Sequence, residues 1–147
     1  MPAVIANQCL DAVISTLRGI TLDGVASDEI VARDAPSDWM DFRPRGISVI
    51  PLEEQELPGT NQSEDYGYPF LLVRASGTAK GWNEHGEITP RWRNTVRKAF
   101  NQRRLVGVSE VWICQVSSGD YLSQRPWEEN KAISTMVVTC WARERRT

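Results

Sequence analysis

Residues 69–77 read PFLLVRASG, and the first five of them are apolar without interruption. A strand with one wet face alternates apolar and polar side chains. An unbroken run instead predicts a strand buried on both faces or shared with an interface. The chain has 147 residues, the length of a single domain, and 41% of them are hydrophobic. Six Trp residues add material for a core or an interface.

Two further long strands are expected. In 131–144, KAISTMVVTCWARE, alternation puts Met136, Val138, Cys140 and Ala142 on one face and Ile133, Thr135, Val137, Thr139 and Trp141 on the other. In 106–118, VGVSEVWICQVSS, Val111 and Ile113 point one way and Trp112, Cys114 and Val116 the other. ISVIP (47–51) reads as a short strand closed by Pro51, EIVARD (29–34) as an edge strand, and ITLDG (20–24) as a strand and turn.

A first helix is expected over 2–18, where Val4, Ile5, Leu10, Val13, Ile14 and Leu17 recur at helical spacing before Gly19. A second is expected to begin at 89, in TPRWRNTVRKAFNQRRL, with Thr89 as N-cap and Pro90 in the first turn. Its Trp92, Val96, Ala99 and Phe100 form one apolar stripe, expected to lie against the sheet. Segments 35–46, 52–68 and 78–88, rich in Pro, Gly or polar residues, read as long loops. The expected fold is a single α+β domain over 1–147, a mainly antiparallel sheet packed against two amphipathic helices.

The stretch 89–105 holds six of the chain's 17 Lys and Arg residues and no acid. A net charge of −2 hides a division: residues 20–65 carry eleven acids and three bases, residues 66–147 seven acids and thirteen bases. Such polarity suits head-to-tail contact between copies, or two charge sets folded against each other. The candidate interface residues are Arg91, Arg93, Arg97 and Arg104 of the basic stretch and Glu53, Glu54, Glu56, Glu64 and Asp65 of the acidic loop. Arg93, Arg97 and Arg104 are expected to be exposed or to meet a neighbour's acids. The loop 52–68 is expected to reach another chain. In a first turn, Arg91 and Arg93 would oppose the helix dipole unless a carboxylate approached.

No nucleophile, phosphate-loop, dinucleotide or zinc-protease motif occurs, and the one histidine, His85, has only Glu84 and Glu87 beside it. Three neighbouring loop residues do not converge on one ion by themselves. No catalytic residue, cofactor or metal is therefore expected. Cys9, Cys114 and Cys140 are odd in number, far apart and without a CxxC pair. They read as small buried side chains in a reducing compartment rather than disulfides or a metal site. No apolar run approaches the ~20 residues of a membrane span, and the N-terminal stretch lacks the pattern of a signal peptide. The basic helix could neutralise phosphates, but its aromatics sit on the apolar stripe and the pI is near 5.5.

Taken in order, AVISTLRGI (12–20), RGISVIP (45–51), YPFLLVRASG (68–77), RWRNTVRKAF (91–100), VWICQV (111–116) and AISTMVVTCWARE (132–144) describe a helix, short strands, an apolar strand, a helix and two long strands. This layout resembles the tail-terminator (tail-completion or neck) proteins of tailed bacteriophages over most of residues 3–143. The resemblance implies a structural virion protein, assembled in the host cytoplasm, that forms a homo-oligomeric ring of six copies at the head–tail junction. Such a ring ends the tail tube, meets the head connector or stopper and the tube and sheath proteins, and lets DNA pass through its lumen. It implies no catalytic residue and no cofactor. Another neck component, a head-closure protein or sheath-associated connector, and a small nucleic-acid-binding protein are the alternatives.

Overall fold

A computed structural model describes residues 4–22, 25, 29–32, 46–57, 63–77, 81–119 and 131–145. These residues form two helices and six strands in an α+β arrangement: α1 (Ile5–Gly19), β1 (Ile30–Ala32), β2 (Gly46–Pro51), β3 (Gln55–Leu57), β4 (Ser63–Gly77), α2 (Gly81–Phe100), β5 (Val111–Ser118) and β6 (Lys131–Arg145). The strands make one sheet in the order β1-β2-β4-β6-β5, with β3 added to β4. The sheet is mixed, because β1 runs parallel to β2 while the other pairings are antiparallel.

The spine of the sheet is β4 on β6, paired from Ser63 opposite Arg145 to Gly77 opposite Lys131. On one face Tyr68, Phe70 and Leu72 stand opposite Cys140, Val138 and Met136; on the other Leu71 and Val73 stand opposite Val137 and Thr135. Phe70, Leu72 and Val73 are all buried, so the unbroken apolar run of β4 has its two covered faces. Pro69 interrupts this central strand without breaking it. Its carbonyl accepts the Leu52 N–H at 2.9 Å. N–H and C=O of one strand residue point the same way, so the missing donor faces the gap between β2 and β3, where the ladder is already irregular.

Both helices pack on the Phe70 face. On α1, Cys9, Ala12, Val13 and Leu17 are buried at helical spacing. Its first turn has no acid and no side-chain cap, so packing carries the burden of holding it. Its other end is tied to β1 by Arg18, whose Nε and Nη2 donate to the Ile30 carbonyl at 3.1 and 2.7 Å. On α2, Trp92, Val96 and Phe100 are buried in the same cluster. A smaller cluster of Ile50, Val73 and Ile133, with Leu71 against it, occupies the opposite face.

Gly46 shows where backbone geometry dictates the residue. Its φ is +99°, and a Cβ there would collide with the Glu29 carbonyl oxygen. The parallel β1–β2 contact thus requires glycine at the start of β2.

Several expectations need correction. The helix beginning at 89 begins at Gly81, so most of the expected loop 78–88 is helical and Pro90 lies inside α2. Thr89 is buried within the helix and is not its cap. The buried stripe extends one turn upstream of Trp92 to Thr89. Arg91 and Arg93 are mid-helix, so the dipole conflict expected of a first turn does not arise. The expected acidic loop 52–68 contains β3 and the first part of β4. Pairing with β6 orders the residues from Ser63 on, and pairing with β4 orders β3, despite their charge; residues 58–62 lie outside the described residues. Residues 106–110 are turns, and the strand starts at Val111. A bulge between Val111 and Ile113 then puts Val111 on the same face as Cys114, contrary to simple alternation. Of the expected loop 35–46, residues 35–45 lie outside the described residues, and Gly46 belongs to β2.

Candidate interaction surface

The basic and acidic candidates do not form one cluster. Arg91 and Arg97 are exposed on α2, and Arg104 is exposed beyond its end. Arg93, expected outside, is 3% exposed. It lies on the buried stripe one residue after Trp92, and Nη1 donates to Ser134 Oγ at 3.0 Å and to the Thr135 carbonyl at 2.7 Å. Both of these acceptors belong to β6 of the same chain. Glu53 and Glu54 are exposed in the gap between β2 and β3. Glu56 and Glu64 fall in β3 and β4 with side chains outside the described residues. In the strand order β4 and β6 lie between β2 and β5, which are three strand spacings, roughly 14 Å, apart.

Asp65 behaves differently from the other acids. It stands directly opposite Arg143 across β4 and β6. Arg143 donates to both carboxylate oxygens, from Nε to Oδ1 at 2.9 Å and from Nη2 to Oδ2 at 3.2 Å. This forked hydrogen bond holds the Asp65 carboxyl below its ordinary value and the Arg143 guanidinium above its own. The same guanidinium lies 5.7 Å from the ring centroid of Trp112, which is 44% exposed at the β5 bulge. The bulge is what turns this Trp outward.

Trp141 completes the surface. It stands opposite Gly67, where a Cβ would come within 2.9 Å of its ring. Its Nε1 donates to Gln115 Oε1 at 3.0 Å. Asp65, Trp141 and Arg143 therefore lie on the sheet face away from the helices, with Trp112 under the guanidinium. A fixed aromatic and a forked guanidinium, half in water, are the groups that make protein contacts strong. The sequence reading missed Arg143 and Trp112 as a pair. A hint was present in the Trp-Ala-Arg of 141–143, two residues of one strand face, but their partners on β4 and β5 depend on register.

On the helix side, Tyr68 donates to Glu144 Oε2 at 2.8 Å. Burial first, and then this hydrogen bond, push its phenol well above the usual tyrosine value. Trp92 and Phe100 are buried, so neither is a stacking platform for nucleic-acid bases. Among the described residues no group of three His, Cys, Asp or Glu could hold a metal ion. The side chains of Glu84, His85 and Glu87 lie outside the described residues; their backbone is part of α2. No helix among the described residues is long and apolar enough to cross a membrane.

No protein-family model matches the chain, and no curated protein matches it.

Proposed function

We propose that this protein is a structural subunit of a ring at the head–tail junction of a tailed bacteriophage, of the tail-terminator kind. The ring has six copies, ends the tail tube, docks to the head connector and passes DNA without gripping it. The reading takes the sheet as mainly antiparallel and both helices as amphipathic, the layout implied by the resemblance. The observation that carries it is the order of elements: one N-terminal helix, a short-strand edge, the long β4, a basic helix and the β5–β6 pair, with both helices on one face of the sheet. That arrangement leaves the Trp112–Arg143–Asp65 surface on the other face, where a neighbouring subunit can seat an anchor. The exposed Arg91, Arg97 and Arg104 lie on and just beyond α2, and the exposed Glu53 and Glu54 lie between β2 and β3. Unlike patches on different elements suit head-to-tail contacts that close into a ring.

The test is the mass of the particle, measured by light scattering and native mass spectrometry on purified protein and on purified tails. Six 16.6-kDa chains in one ring support the reading. A chain that stays monomeric in every context, virions included, overturns it.

A further inference from the structure

We propose that Cys114 and Cys140 form a modification site, a cross-strand thiol pair that a small peroxide closes into a disulfide. This inference does not depend on the ring. The two residues are paired directly across β5 and β6, and their sulfurs lie 3.8 Å apart with both side chains fully buried. The backbone of Cys114 is turned away from β6. Its N–H donates to the Arg103 carbonyl at 2.7 Å, and its carbonyl accepts from the Gln102 N–H at 2.9 Å. Cys114 and Cys140 are therefore a non-hydrogen-bonded pair, the kind whose Cα atoms approach to ~4.5 Å. That separation lies at the near end of the ~4.4–6.8 Å range that a disulfide spans. Rotation about the two Cα–Cβ bonds is enough to bring the sulfurs together.

Cys9 also touches Cys140, from α1. It comes from a different layer and is not held in register with either strand, so the ladder selects Cys114 as the partner. The hydrogen bond with Cys140 holds the Cys114 thiol below its ordinary value against the opposing effect of burial. Contacts with Cys114 and Cys9, together with burial, push Cys140 up. Either thiol of the pair leads to the same disulfide; take Cys114 as the one oxidised first. Its thiolate displaces hydroxide from hydrogen peroxide to give a sulfenic acid. The Cys140 thiol then attacks that sulfur, the S–S bond forms, the S–O bond breaks and water leaves. In net terms, two thiols and one peroxide give one disulfide and two waters, with both electrons going to the O–O bond. A buried pair favours an oxidant little larger than water; a bulky disulfide such as oxidised glutathione needs the strands to part.

The experiment treats the native full-length chain with hydrogen peroxide, blocks remaining thiols and maps peptides without reduction. The expected result is a chain two hydrogens lighter with Cys114 linked to Cys140, formed also in Cys9→Ser and abolished in Cys114→Ser and Cys140→Ser. The linked chain should melt at a higher temperature, because the bond closes a 26-residue separation. Peptide mapping of the unmutated chain decides the matter even where a variant fails to fold. A link that joins Cys9, a link that appears only in urea, no link at all, or a lowered melting temperature each overturns the proposal.

Discussion

Arg93 reaches from the buried stripe of α2 to Ser134 on β6, its Nη1 3.0 Å from the hydroxyl and 2.7 Å from the neighbouring Thr135 carbonyl. A guanidinium at 3% exposure is costly to bury unless its donors are used. Here it joins the helix to the strand that carries the sheet. Arg93→Ala should therefore destabilise the chain by about 2–3 kcal/mol, through lost charged hydrogen bonds and lost packing of the side-chain stem. Arg97→Ala, on the exposed face of the same helix, should stay within about 0.5 kcal/mol. Urea denaturation of both variants checks the contrast; equal effects would remove the structural role assigned to Arg93.

Two glycines isolate the effect of a collision from that of backbone strain. Gly46 and Gly107 have nearly the same φ, +99° and +96°, but only Gly46 has atoms in the way of a Cβ. Alanine at either site bears the left-handed strain, roughly 1–2 kcal/mol. Gly46→Ala should cost clearly more, because β1 must move away from β2. Thermal melts of the two variants measure the difference, and a Gly107→Ala loss as large as that of Gly46→Ala would show the contact to be irrelevant.

Tyr68 predicts a pH dependence. Its folded phenol is raised above the unfolded value by burial and by Glu144. A raised group contributes stability that is fully present below the unfolded value, near ~10, and that is lost as pH rises towards the folded one. Unfolding midpoints from pH 8 to 11.5 should fall more steeply for the unmodified chain than for Tyr68→Phe. Parallel curves would show that Tyr68 does not titrate differently in the folded state.

The proposed ring supplies its own test at the surface. Trp112→Ala should weaken assembly by ~2 kcal/mol or more, if the indole is a buried anchor at the contact, while leaving the fold of the subunit intact. Arg97→Glu with Arg104→Glu should likewise disturb assembly more than folding. Assembly of the unmodified chain should weaken as salt rises, because exposed charges are screened over ~8–10 Å. Sedimentation and circular dichroism together separate assembly from folding; unchanged particles in both variants would exclude these side chains from the contact.

Periodicity made much of the architecture legible. The alternation in 131–144 identified the face of Met136, Val138, Cys140 and Ala142, all of which are buried in the main cluster. The Trp92, Val96, Phe100 stripe likewise lies in that cluster. What misled was local chemistry that a distant partner overrides. Pro90 resembled a first turn but falls inside a helix. Asp65 resembled part of a solvated loop, but its partner, Arg143, is 78 residues away. The candidate surface was least legible of all, since a one-residue bulge in β5 turns Trp112 outward.

By itself, the sequence determined which stretches alternate and which recur at helical spacing, because those patterns record the side of each element that must leave water. It determined the charge division between the two parts of the chain as well. Only the tertiary structure decided that Arg93 turns inward, that Asp65 pairs with Arg143, and that Cys114 meets Cys140. Each of these depends on strand register and helix placement, set by the summed packing of the whole sheet. A shift of one residue in β6 would reverse every face it presents, and nothing local to Arg93, Asp65 or Cys114 specifies that register.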